Sequence, residues 1–152
     1  MRVVILAAVC TAAACQLLTT SDNLAPSDAP AEVRSFVELM NEHRQERGCA
    51  PLTWDNRIAG VASAHSEDMA RNNYFSHTNL QGQSPFDRLR ADGVQFRAAG
   101  ENIAYGQTTG RQVLQSWLNS AGHRSNIENC QYTRHGVGLN QTRWTHVFVG
   151  TG

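Results

Sequence analysis

The chain lacks lysine altogether, and its thirteen basic residues are arginines that balance thirteen acidic residues. The formal net charge of zero gives no positive field to attract a phosphate backbone, so we do not expect a nucleic-acid partner. Also missing is an apolar run of the roughly 18 residues that a membrane-spanning helix needs. With 152 residues, 41% of them hydrophobic, the chain has enough material for one folded domain and not for two.

The N-terminus has the pattern of an export signal. Arg2 precedes an apolar stretch over residues 3–14, which is too short to span a bilayer and has the length of a signal-peptide core. Small residues lead to Cys15, as in bacterial lipoprotein signals, although Ala12 stands where such signals usually have leucine. We interpret residues 1–15 as a signal peptide, with lipid attached at Cys15. The alternatives are a simply cleaved secretory signal and, less favoured, a cytoplasmic protein.

This interpretation predicts an exported protein, either a periplasmic or outer-envelope lipoprotein anchored to the membrane through its lipid, or a freely secreted one. Residues 16–30 are polar and contain two prolines, which is typical of a tether. Residues 31–152 then form the folded domain. Neutral charge and the absence of a heptad repeat favour a monomer.

Two cysteines remain in the predicted domain, Cys49 and Cys130. In an oxidising compartment an even pair most simply forms one disulfide, worth roughly 4 kcal/mol on the chain-entropy model. A metal-binding or catalytic thiol is the alternative. It is disfavoured because neither cysteine belongs to a C-x-x-C pair.

Periodicity predicts helices first and strands last. Apolar residues at helical spacing, with Asp55 as an N-cap and a Ser84-Pro85 helix start, predict four helices: residues 31–47, from 55 onward, 84–93 and 111–120. Residues 136–139 and 144–149 are rich in β-formers around a polar turn and predict an antiparallel hairpin. The order of elements indicates an α+β layered domain.

Three polar residues stand at short junctions between these elements: His77, Glu101 and His123. Two imidazoles and a carboxylate are a suitable ligand set for zinc or another divalent cation, and an equally suitable acid–base set. The chain has no H-E-x-x-H, G-x-S-x-G or P-loop motif, so spacing alone does not establish a shared site.

The remaining histidines are predicted to be structural. His65 lies on the apolar face of the second helix, where a core histidine with a satisfied hydrogen bond is expected. His43, His135 and His146 are predicted to be peripheral. Trp117 is predicted to be a core residue.

Several short motifs together resemble the CAP superfamily, which covers cysteine-rich secretory proteins, antigen 5 and pathogenesis-related proteins, with SCP-like proteins as bacterial members. The resemblance covers residues 33–150, and its motifs are AHSEDMA at 64–70, YFSH at 74–77, GENIA at 100–104, WLNS at 117–120, GHRSNI at 122–127 and GVG at 136–138.

The resemblance implies an α-β-α sandwich with a small antiparallel sheet between helical layers. It also implies a cleft that contains His77, Glu101 and His123, in which the two histidines are candidate metal ligands and Glu101 is the candidate catalytic base. Ser120 occupies the position where many eukaryotic members have a second glutamate.

Other residues receive supporting roles from the same resemblance. Asn102 is expected to support the Glu101 segment. Tyr74 and Tyr105 are expected either to line the cleft or only to pack.

The family name does not fix a reaction, so the protein is not assigned as an enzyme and no cofactor is certain. Three hypotheses remain open. The first and favoured one is an exported binding module for an apolar or amphipathic ligand, a glycan or a peptide. The second is a hydrolase dependent on zinc or another divalent cation held by His77, His123 and Glu101. The third is a structural or interaction protein of the cell envelope.

Overall fold

The computed structural model describes residues 21–152. The predicted signal peptide and its lipid attachment at Cys15 lie outside these residues. The α-helices of the described chain are α1 (Ala31–Glu46), α2 (Asn56–Arg71), α3 (Pro85–Ala91), α4 (Gly110–Leu118) and α5 (Ala121–Ile127). None of them is long and apolar enough to cross a bilayer.

Local capping chemistry explains where the helices begin. The Asp55 side chain accepts hydrogen bonds from the N–H groups of Arg57 and Ile58, which confirms the predicted start of α2. Ser84 and Asp87 form a capping box at the start of α3, where Pro85 takes the first helical position. Both predicted helix starts are therefore confirmed.

The strands are β1 (Thr53–Trp54), β2 (Ala98–Tyr105), β3 (Arg134–Asn140) and β4 (Arg143–Gly150). They form one sheet in the order β1-β3-β4-β2. The predicted hairpin is confirmed as the β3–β4 pair. The sheet is mixed rather than antiparallel throughout, since the short β1 strand pairs with β3 in parallel.

Helices cover both faces of this sheet, so the α-β-α sandwich is confirmed. On one face α1 and α4 bury Phe36 and Trp117 against Trp144 and Phe148. On the other face α2 and α3 bury a second cluster against β4, with these members: Ile58, Val61, Ala62, Leu89, Val94, Val147 and Val149.

Two glycines bring α2 into close contact with the sheet. A Cβ atom on Gly136 would lie 2.1 Å from the backbone nitrogen of Ala59, and one on Gly138 would lie 2.5 Å from the carbonyl carbon of Ala62. Since Gly136 and Gly138 alternate with His135 and Val137 along β3, the latter pair faces α1 instead.

This alternation corrects the prediction that His135 and His146 are peripheral. Both imidazoles are fully buried, and Nδ1 of His135 lies 3.0 Å from Nε2 of His146. Periodicity had placed the two residues in or beside the hairpin, but it could not show that their face of the sheet is covered by α1.

Cys49 and Cys130 form the predicted disulfide. It joins the end of α1 to the segment between α5 and β3. Arg44 connects the same two regions, because its guanidinium donates hydrogen bonds to four carbonyl oxygens, those of Ala50, Ile127, Asn129 and Tyr132.

The described part of the segment predicted as a tether lies against the domain. A 3-10 turn spans Ser21–Asn23. The Asn41 side chain on α1 donates a hydrogen bond to the carbonyl oxygen of Asn23 over 3.0 Å, and Ala25 belongs to the core cluster.

Candidate functional site

The candidate site is built around the carboxylate of Glu101 on β2. Its side chain is only 2% exposed, and its two oxygens have different partners. The Nη2 atom of Arg88 donates to Oε2 over 2.6 Å, while Nδ1 of His77 lies 2.8 Å from Oε1. A buried carboxylate needs such compensation, because an unpaired charge in the interior is very costly.

Glu101 was predicted to lie at a junction, whereas it belongs to a strand. The glycine before it and the lack of clear alternation concealed β2, since the middle of this strand is buried on both faces. Its register with β4 sets Glu101 opposite Val147 and Asn102 opposite His146. Glu101 therefore faces the α2–α3 side, and Asn102 faces the α5 side.

Arg88 is a site residue that the sequence reasoning missed. Besides its contact with Glu101, its Nη1 atom donates to the carbonyl oxygens of His77 and Gln83 over 2.8 and 3.1 Å. Because the chain has no lysine, any cation paired with a buried glutamate has to be an arginine or a histidine. Thirteen arginines were candidates, and no spacing rule selected the one on the short α3 helix.

His77 lies in the segment that follows α2, and its side chain is half exposed. His65 on α2 holds this segment in place, because its Nε2 atom lies 2.8 Å from the carbonyl oxygen of Ser76. Burial lowers the pKa of His65, so this imidazole is neutral and donates its Nε2 proton to that carbonyl. The predicted buried role of His65 is confirmed.

His123 belongs to α5 and not to the junction where it was predicted. Asn102 donates a hydrogen bond from Nδ2 to the His123 carbonyl oxygen over 3.0 Å, and Asn126 donates to Asn102 Oδ1 over 2.8 Å. These bonds attach α5 to β2 on the strand that carries Glu101. Asn102 thus has the supporting role expected of it.

His77 is close enough to His123 to affect its protonation. Burial lowers the pKa of His123, and the nearby charge of His77 lowers it further. His123 is therefore neutral at neutral pH. The hydrogen bond to Glu101 occupies Nδ1 of His77 and leaves its Nε2 atom for an incoming group.

The other predicted cleft residues have mixed surroundings. The Tyr74 hydroxyl donates to Asp68 at the end of α2; burial first, and then this bond, raise the pKa of Tyr74. Tyr105 is 55% exposed, with its ring 6.3 Å from that of Phe75 and 4.4 Å from the Arg143 guanidinium. Ser120 caps α5 without a side-chain hydrogen bond to that helix.

The donor set does not fit a zinc ion well. Catalytic zinc is usually held by three protein ligands and structural zinc by four. Here both oxygens of Glu101 already have partners, so the site offers two imidazole nitrogens. Throughout residues 21–152 no group of three or more His, Cys, Asp and Glu side chains is arranged to hold a metal ion. We therefore assign no chemical step to a bound metal.

Comparison with known proteins gives consistent results. Residues 37–150 match the family model described as CAP, the cysteine-rich secretory protein family. The chain is 42% identical over 134 residues to Bacillus subtilis YkwD, covering 87% of this chain and 52% of that protein. It is 44% identical over 116 residues to the B. subtilis membrane protein YlbC, covering 76% of this chain and 34% of that protein.

Solved structures agree with this result. An extracellular protein of Bacillus anthracis that contains an SCP domain superposes with a TM-score of 0.76 at 41% identity, covering 78% of this chain and 40% of that one. An outer surface protein of Borrelia burgdorferi superposes with a TM-score of 0.71 at 22% identity, covering 76% and 89%. The second likeness shows the fold alone. The chain spans about half or less of the two B. subtilis proteins.

Proposed function

Because the chain belongs to the CAP, or cysteine-rich secretory protein, family, we propose that it works outside the cytoplasm as a binding module whose ligand occupies the cleft around His77, Glu101 and His123. Export is supported by the signal-peptide pattern and by the 41% identity to an extracellular protein of B. anthracis. Either form of export, lipidated at Cys15 or freely secreted, suits this role.

The observation that carries the proposal is the complete pairing of Glu101. Arg88 and His77 each hold one of its oxygens, so the carboxylate orients His77 and is not free to act as a base. The Nε2 atom of His77, whose side chain is half exposed, and the neutral imidazole of His123 then remain as the polar contacts for a ligand. A partly desolvated pair of polar side chains is suited to recognition of a ligand.

The surroundings of His77 favour an amphipathic ligand. Phe75 and Tyr105 expose about half of their surfaces and contact each other. Tyr105 lies four residues beyond Glu101 on β2, roughly 13 Å along the strand. A ligand of that length would place an acidic or hydroxyl head at the two imidazoles and an apolar tail along the two rings.

The metal-dependent hydrolase is the weaker alternative, because it needs Glu101 or a third ligand to be available. Its signature is distinct from that of a binding module: turnover of a substrate that requires added zinc and disappears in a His77→Ala variant. If zinc-loaded protein hydrolyses an ester or peptide panel in this His77-dependent manner, the binding-module proposal fails.

The proposal is tested by titrating the exported protein with dodecanoate below its micelle concentration in a calorimeter. We expect saturable binding of one dodecanoate per chain. A His77→Ala/His123→Ala variant and a Phe75→Ser/Tyr105→Ser variant should each bind at least about tenfold more weakly, corresponding to about 1.4 kcal/mol. Phe86→Ser is the matched control, since Phe86 is 39% exposed and its ring packs against Phe96 and not against Phe75 or Tyr105.

Equal affinity in all four proteins would show that dodecanoate binds elsewhere and would contradict the proposal. The absence of saturable binding in the parent protein would contradict the amphipathic ligand.

A further inference from the structure

Arg88 on α3 holds the cleft histidine His77 at two points. Its Nη1 atom donates to the backbone carbonyl oxygen of His77 over 2.8 Å, and its Nη2 atom donates to Oε2 of Glu101 over 2.6 Å. The other oxygen of the same carboxylate, Oε1, lies 2.8 Å from Nδ1 of the His77 imidazole. One guanidinium therefore holds the backbone of His77 directly and its side chain through Glu101.

The planar fork of the guanidinium makes this double contact possible. Nη1 and Nη2 lie in one rigid plane, so the directions of their hydrogen bonds are fixed relative to each other. Nη1 also donates to the carbonyl oxygen of Gln83 over 3.1 Å, which gives Arg88 a second contact with the segment between α2 and α3. Because the Arg88 side chain is 9% exposed and that of Glu101 is buried, water competes little for these bonds.

Two helices together fix the backbone that carries His77. The imidazole of His65 on α2 holds the carbonyl oxygen of Ser76, and Arg88 on α3 holds the next carbonyl oxygen, that of His77. A half-exposed side chain on a connecting segment ordinarily changes rotamer within nanoseconds. His77 is instead held at its backbone by α3 and at its ring by Glu101.

The contact with Glu101 also determines which nitrogen of His77 carries the proton. A carboxylate paired with a guanidinium accepts hydrogen bonds and does not donate them, so Nδ1 of His77 is the protonated nitrogen. In the neutral ring the lone pair is then on Nε2, the atom left for an incoming ligand. Without Arg88 the buried carboxylate would lose one of its two partners and could turn toward other donors, so it would no longer select a single tautomer of His77.

We propose that Arg88 is the positioning residue of the cleft, which fixes both the place of His77 and the tautomer of its imidazole and so prepares Nε2 for the ligand. This inference rests on the proposed function of the cleft as a binding site. Arg88 acts through its neighbours and not by touching the ligand, because both protons of Nη1 are used by carbonyl oxygens and Nη2 is used by Glu101.

The first measurement is the tautomer of His77 in the ligand-free exported protein. It is read from the ¹⁵N NMR signals of the imidazole at about pH 9, well above the ordinary pKa of histidine. In the parent protein we expect Nδ1 to be protonated and Nε2 to be unprotonated. Arg88→Met should mix the two tautomers, so that both signals move toward an average. Arg90→Met is the matched control, because Arg90 lies on the same helix with a mostly exposed side chain, and it should leave the tautomer unchanged.

Two further measurements complete the test. Arg88→Met should bind dodecanoate at least about tenfold more weakly than the parent, and Arg90→Met should differ from the parent by less than about twofold. The last measurement needs no substitution. Since oxygens hold both Nη atoms of Arg88, its guanidinium should not rotate freely, and its Nη–H protons should give separate NMR signals where those of the exposed Arg90 are averaged.

Any of three results would overturn the proposal: averaged Nη–H signals of Arg88 or a protonated Nε2 of His77 in the parent, an unchanged tautomer in Arg88→Met, or undiminished affinity of Arg88→Met for dodecanoate. The first of these is measured on the parent, so it decides the matter even if Arg88→Met does not fold. If the parent binds no dodecanoate while the tautomer changes as expected, the proposed function fails and the positioning role of Arg88 stands. If the parent binds dodecanoate and Arg88→Met behaves like the parent, only the role of Arg88 fails.

Discussion

The Glu101 carboxylate is the residue on which the geometry of the site depends most. It joins a helix, a strand and a connecting segment through two charge-assisted contacts, to Arg88 and His77. Removing one partner of a buried pair leaves the other charge without compensation, which costs more than the pair itself contributes. Glu101 should therefore matter for stability as well as for ligand binding.

Glu101→Gln preserves the shape of the side chain and removes its charge. We expect it to lower the free energy of unfolding by about 3 kcal/mol, because the Arg88 guanidinium stays buried without an anion. Urea denaturation at pH 7 measures the change. The control is Glu67→Gln, which removes a carboxylate from an exposed ion pair with Arg71 and should cost less than about 1 kcal/mol. Equal effects of the two variants would mean that the Arg88–Glu101 pair is solvated in solution.

The buried pair His135–His146 predicts acid sensitivity. Burial, followed by the charge of Arg44, lowers the pKa of His135 to about 3. Burial, followed by the neighbouring His135 and then Arg44, lowers the pKa of His146 well below its usual range. Since the unfolded chain takes up these protons near pH 6.5 and the folded chain does not, the stabilisation is complete above pH 6.5 and is lost as the pH falls toward 3.

Each of these histidines should contribute a slope of about 1.4 kcal/mol per pH unit in that window. A His135→Phe/His146→Leu variant should therefore lose stability less steeply between pH 6.5 and pH 4 than the parent, by up to about 3 kcal/mol per unit. His65 and His123 are present in both proteins, so their contributions cancel in the comparison. Chemical denaturation at several pH values provides the data. Parallel pH profiles would show that the pair is already protonated or hydrated in the folded state.

Among the structural elements, α2 links the sheet to the segment that carries His77. One face of it contacts β3 at Gly136 and Gly138, and its far end holds His65 against the segment that carries His77. The spacing between α2 and the sheet is therefore set by residues that have no side chain. A methyl group on this face of β3 would have to move a helix backbone and not a flexible side chain.

Gly136→Ala should lower the free energy of unfolding by about 3 kcal/mol, because its Cβ would overlap the backbone of Ala59. Gly60→Ala, on the open side of the same helix, is the matched control and should raise stability by up to about 1 kcal/mol. Thermal and urea unfolding of both variants tests this contrast. Equal behaviour of the two variants would mean that α2 lies farther from β3 than the structure has it.

The elements also show what the sequence could and could not predict. Four helices and the final hairpin were predictable because each has a strong local signal, such as the Asp55 cap or the apolar periodicity of residues 31–47. The strand β2 and the helix α5 were missed. These two elements are stabilised mainly by tertiary contacts, such as the hydrogen bonds of Asn102 and Asn126, and local periodicity does not reveal such contacts.

In the candidate site, too, residues within sequence motifs were predictable and residues placed by tertiary packing were not. Short motifs indicated His77, Glu101 and His123, but Arg88 lies in a short helix with no motif of its own. Its position became clear only from the packing of α3 against β2. Burial of His135 and His146 likewise depended on which helix covers each face of the sheet.

At the scale of the whole molecule, a disulfide and a set of Arg44 hydrogen bonds connect the end of α1 to the segment before β3. The Cys49–Cys130 disulfide spans 81 residues, and on the chain-entropy model its loss should cost about 4 kcal/mol. Arg44 spans the same gap with hydrogen bonds to carbonyl oxygens on both sides. Burial lowers its pKa to about 10, so it remains charged at neutral pH. Its bond to the Ile127 carbonyl satisfies the C-terminal end of α5, the helix that carries His123.

Because the disulfide and Arg44 hold the same segment, the effects of removing them on its stability should not be additive. Reduction alone leaves residues 127–132 held by Arg44, and Arg44→Met alone leaves them held by the disulfide. Loss of both frees the segment and the end of α5. We therefore expect hydrogen exchange of residues 127–132 to rise strongly only in the reduced Arg44→Met protein, with a coupling energy of at least about 1 kcal/mol in the corresponding cycle. Mass spectrometry of exchanged peptides, with and without reductant, provides this measurement. Strictly additive changes would show that the disulfide acts only on the unfolded chain, in which case α5 and His123 depend on Arg44 alone.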